Sequence, residues 1–67
     1  MTLVEKMVGF RAKNRMSQRD LANLSGVSLQ TINSVEQGIQ KPSRVTEAKI
    51  LMAIKEYEEN GGKTDEI

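Results

Sequence analysis

The sequence predicts an all-α fold of four helices, with room for at most a short fifth. Three observations lead there. Helix start and stop signals recur along the whole chain, apolar residues between them return at helical spacing, and both alternating β-branched runs and hairpin dipeptides are missing. With 67 residues there is space for one small domain. Val, Ile, Leu and Phe number 16, enough for a compact core. The expected division is a domain over residues 1–60 and a tail over 61–67.

Each helix has its own punctuation. Thr2-Leu3-Val4-Glu5 fits a capping box, in which the Thr and Glu side chains each satisfy an orphan amide of the other. Leu3, Met7 and Phe10, flanked by Val4 and Val8, then carry a first helix to about Asn14. Gly9 inside it costs roughly 1 kcal/mol against Ala and suggests a close backbone approach. Ser17-Gln18-Arg19-Asp20 is a second box, with Met16 and Leu21 placed to staple the entry. That helix carries Leu21, Ala22 and Leu24 and stops at Gly26, a natural left-handed residue. Ser28 caps a third helix from about Leu29 to Glu36, with Val27 stapling to Ile32 and Gly38 ending it. Two short helices joined by so few residues around a glycine turn sharply, which is a helix-turn-helix. Pro42 keeps its predecessor out of a helix, and Ser43 caps a fourth that runs to Asn60-Gly61-Gly62. This last helix has two apolar stripes, Val45, Ala48, Leu51 and Met52 on one side and Ile50, Ile54 and Tyr57 on roughly the other. It must bury both or break.

Composition narrows the function. Without Cys or His the chain has no disulfide framework, no thiolate metal site and no ordinary general base. Its densest carboxylates, Glu56, Glu58 and Glu59, fall near the end of an exposed helix with no partner for acid–base work, so catalysis is not expected. No apolar run approaches the ~20 residues of a membrane span and no signal-peptide pattern opens the chain. A soluble, cytoplasmic protein is the expectation. Residues 1–44 hold seven basic and three acidic side chains, and residues 45–67 hold three basic and six acidic ones. The asymmetry suits a molecule with one face for a polyanion, or is ordinary scatter on a solvated surface.

Ser17-Gln18, Leu21-Ala22, Gly26-Val27-Ser28, Thr31-Ile32, Val35-Glu36 and Gly38, followed by Lys41-Pro42-Ser43, together resemble the Cro/CI-type helix-turn-helix family of phage repressors and their bacterial relatives. The resemblance covers about residues 3–54 and implies a lambda-repressor-like domain that binds double-stranded DNA. Its spacing has physical content: Ala22 is small where two helices touch, Gly26 sits at the reversal, and Leu21, Val27, Ile32 and Val35 form a buried seam. Two departures stand out. Ser25 takes a position where an apolar residue is usual, with Leu24 beside it to supply packing. An acidic stretch, Lys55 to Asn60, leads to Gly61-Gly62 where the family usually has a fifth helix, so its C-terminal dimer contact does not carry over directly.

The resemblance implies that the third helix enters the major groove. Leu29, Gln30, Asn33 and Ser34 would then face base edges, Asn33 and Gln30 pairing with adenine and Leu29 touching a thymine methyl. Gln18 would belong with these base-reading residues, bracing Gln30 while it points at a phosphate. Ser17, Arg19, Gln37, Lys41, Ser43 and Arg44 would hold phosphates, while Lys6 and Lys13 are surface charges. Arg11 and Glu36 would form a structural ion pair between the first and third helices. The expected function is a transcriptional repressor on a near-palindromic operator, needing no cofactor, metal or small ligand. Ile50, Ile54 and Tyr57 are the candidates for a homodimer contact, unless that stripe closes over the monomer's own core. The alternative is an antitoxin- or adaptor-like module that uses the fourth helix to bind a partner protein.

Overall fold

Local capping chemistry divides the chain into four helices in the computed structural model, which describes residues 2–61. The expected tail, Gly61 apart, lies outside the described residues. The helices are α1 (Leu3–Asn14), α2 (Gln18–Ser25), α3 (Leu29–Glu36) and α4 (Arg44–Glu59), and no strand occurs among the described residues. Both capping boxes form. The Glu5 amide donates to Thr2 Oγ1 at 3.1 Å and the Thr2 amide to Glu5 Oε1 at 3.0 Å. Ser17 and Asp20 exchange the same pair of bonds. Ser28 and Ser43 cap α3 and α4 by accepting from Thr31 N–H and Thr46 N–H. Side-chain oxygens thus satisfy amides that the first turn leaves without partners.

The stops are equally local. Gly26, with φ 75°, lets its own amide and that of Val27 return to the Ala22 carbonyl. Past α3, Gly38 is also left-handed, and the amides of Gly38 and Ile39 return to Val35 and Ser34. At the end of α1 the left-handed residue is Arg15, the one non-glycine with positive φ among the described residues. Gly9 is different. A Cβ there would meet nothing within 4 Å, so the close backbone approach expected at this position is absent.

Packing closes the helices around one core. Helices α1 and α2 each lie against α3 and α4. Met7, Phe10, Leu21, Ala22, Val27, Ile32, Val35, Ile50 and Ile54 are buried together, and Leu3, Val4, Met16, Leu24, Leu29 and Tyr57 pack on them. Ser25 is also buried, and its hydroxyl donates to the Leu21 carbonyl at 2.8 Å while accepting from Val27 N–H at 3.3 Å. A satisfied hydroxyl removes the usual penalty of a polar group inside a core.

Helix α4 neither breaks nor buries both stripes. Ile50 and Ile54 are 0% and 7% exposed within the core, and Tyr57 meets Phe10 edge-on with ring centroids 5.4 Å apart. The expectation that Ile50, Ile54 and Tyr57 face a second copy is therefore corrected. In a chain this small those side chains are needed to close the molecule's own core. The outward face carries Val45 and Met52, 64% and 58% exposed.

Candidate nucleic-acid interface

Helices α2 and α3 are both eight residues long and meet through Leu21, Ala22, Ile32 and Val35. Burial of that seam sets which residues of α3 remain outside. Gln30 is exposed, and Asn33 and Ser34 are half-buried at the surface. Leu29 is half-buried and packs on the core, so part of its apolar surface is already used. Ser17, Arg19, Gln37, Lys41, Ser43 and Arg44 are all exposed, at the start of α2, in the segment that links α3 to α4, or, for Arg44, at the first position of α4. Two of them have structural work as well, since Ser17 and Ser43 cap α2 and α4.

A polar network ties this surface to the rest of the fold. Arg11 on α1 reaches Glu36 at the end of α3 in a two-pronged pair, Nε to Oε2 at 2.9 Å and Nη2 to Oε1 at 2.7 Å. Its Nη1 donates to the Met16 carbonyl at 3.1 Å. The side chains are 20% and 6% exposed for Arg11 and Glu36 respectively. Burial alone would push the Glu36 carboxyl up, but hydrogen bonds from Arg11 and Gln18, with the Arg11 charge, hold it below the ordinary glutamate value. The hydrogen bond to Glu36 raises the Arg11 guanidinium in turn, against the opposing effect of its burial.

Gln18, expected from the sequence to brace Gln30, turns to other partners. Its Nε2 donates to Glu36 Oε1 at 3.0 Å and lies 3.5 Å from Asn33 Oδ1. A carboxylate that already takes two bonds from Arg11 is the stronger acceptor and captures the amide. Asn33 has a second partner, Gln37 Nε2 at 2.8 Å. The sequence reading missed this bond, although the four-residue spacing of Asn33 and Gln37 was a signal for it. Gln37 was expected only as a phosphate contact.

Among the described residues no cluster of acidic side chains could hold a metal ion, and no helix is long and apolar enough to cross a membrane. A family model described as helix-turn-helix matches residues 10–59, more than half of the chain and the whole of α2 and α3. No curated protein and no solved structure matches the chain.

Proposed function

Because the chain belongs to the Cro/CI-type helix-turn-helix family of DNA-binding regulators, we propose that it is a sequence-specific repressor that occupies a near-palindromic operator as a homodimer. The carrying observation is the family match across both helices of the motif, joined to the polar outer surface that α3 keeps once its seam is buried. Gln30 and Ser34 meet base edges in the major groove, together with Asn33, and Leu29 offers its free methyl groups to a thymine. The first backbone amides of α2, that of Gln18 among them, hold a phosphate on one side with Ser17 and Arg19. Gln37, Lys41, Ser43 and Arg44 hold the backbone on the other. Repression follows from occupancy alone, by excluding polymerase in the cytoplasm, and requires no cofactor, metal or small ligand. The rival reading as a protein-binding module drew on Ile50, Ile54 and Tyr57, and loses that support because Ile50 and Ile54 are buried and Tyr57 packs against the core.

The test is selection from a pool of random duplexes with the purified chain at moderate salt. The expected product is an inverted repeat whose half-sites lie about one helical turn apart, bound with an affinity that falls steeply as salt rises. A single half-site would keep the DNA reading and overturn the dimer. No enrichment by a chain shown to be helical would overturn the function.

A further inference from the structure

The geometry points to Asn33 as a donor-only reader, one that selects guanine and not adenine, with Gln18 and Gln37 as the positioning residues that set its polarity. This inference rests on the DNA-binding reading above and deepens it.

The argument starts from an ion pair and moves outward one bond at a time. Glu36 is ionised and can only accept hydrogen bonds. Gln18 must therefore turn its Nε2 toward Glu36 Oε1, 3.0 Å away. The same Nε2 lies 3.5 Å from Asn33 Oδ1, a long contact that still favours the Asn33 oxygen over its amide nitrogen on that side. Gln37 donates its Nε2 to the same Oδ1 at 2.8 Å. Asn33 and Gln37 alone could reverse together and keep their bond. Gln18 prevents this, because a reversed Asn33 would set one amide nitrogen against another.

Asn33 Oδ1 thus accepts from Gln37 at 2.8 Å with Gln18 on its other side at 3.5 Å, and the two Nδ2 hydrogens are what it has left to offer a base. An asparagine needs its oxygen as well as its nitrogen to pair with adenine, accepting from N6 while donating to N7. Here the oxygen is engaged. Guanine offers two adjacent acceptors on its major-groove edge, O6 and N7, which suits a donor alone; thymine offers only O4 beside its methyl group, and adenine and cytosine each present an amino group to it. The expected preference at the base pair under Asn33 is therefore guanine, by roughly tenfold over adenine.

Duplex selection with the wild type and with Asn33→Ala and Gln37→Ala tests this, each chain first shown to be helical by circular dichroism. The result expected is one base pair in each half-site that favours guanine in the wild type and loses its preference in Asn33→Ala. In Gln37→Ala that same base pair moves toward adenine, because one lone pair of Oδ1 is released, while the other positions keep their bases. A purely structural role for Gln37 would weaken all sites alike and leave the preference at guanine, which would overturn its assignment. Adenine at the Asn33-dependent base pair of the wild type would overturn the donor-only reading. So would an operator in which Asn33→Ala changes no base preference. No enrichment by the folded wild type would instead remove the DNA-binding premise, and the inference with it.

Discussion

Glu36 shows how much one side chain can organise. It closes α3 onto α1 through Arg11 and onto α2 through Gln18, with its own carboxylate almost out of water. Removing it leaves Arg11 in a partly buried site without its counter-charge. Breaking a buried pair costs about 3–5 kcal/mol, and the 20% exposure of Arg11 argues for the low end. Glu36→Ala should therefore lower the melting temperature by more than 10 °C, given roughly 4–8 °C per kcal/mol in a domain this small. It should weaken DNA binding of the remaining folded protein far less, and unchanged stability would refute the pair's structural role. The pH dependence has a definite sign. Because Glu36 is held low in the folded state, its contribution is complete above the ordinary glutamate value, about 4.3, and is lost as pH falls through the depressed native value. Denaturant melts between pH 6 and pH 3 should show this loss, and Glu36→Gln should flatten that part of the curve.

At the scale of the helix, two glycines with the same side chain have opposite roles. Gly9 lies inside α1 with open space around it, so Gly9→Ala should stabilise the fold by up to about 1 kcal/mol through helix propensity alone. Gly26 also has open space, but its φ of 75° is the left-handed conformation that ends α2. Gly26→Ala should cost about 1 kcal/mol or more from backbone strain without any clash. Thermal melts of the two variants should move in opposite directions. Gly26 was legible in the sequence because a stop signal between two caps has a local cause. The openness around Gly9 was not, since only the packed neighbours of a helix determine what a Cβ would meet. The same division holds for the site. Arg11 and Glu36 could be matched through the resemblance, while the partner of Gln18 depended on where Glu36 lies relative to α2.

For the molecule as a whole, the question is which face of α4 meets the core. Ile54→Lys places a charge among Phe10, Ile50 and their neighbours, and should unfold the chain instead of separating a dimer. Met52→Lys changes the exposed side of the same helix and should leave the helical signal intact. Sedimentation of that variant beside the wild type would reveal whether the outer face of α4 contributes to self-association. A shift from dimer to monomer is expected if it does. Loss of fold in Met52→Lys would contradict its exposed position.

Taken by itself, the sequence determined the four helices, their caps and the sharp turn between α2 and α3. Each depends on hydrogen bonds and dihedral preferences within a few residues, and these act before any long-range contact forms. The hydrogen-bond network in which Gln18 donates to Glu36 and faces Asn33, and the choice of Ile50, Ile54 and Tyr57 over Val45 and Met52 as the inner face of α4, were decided only by tertiary structure. Both hold together residues distant along the chain. Two apolar stripes are equivalent to a lone helix, and an amide takes whichever acceptor the fold brings within reach.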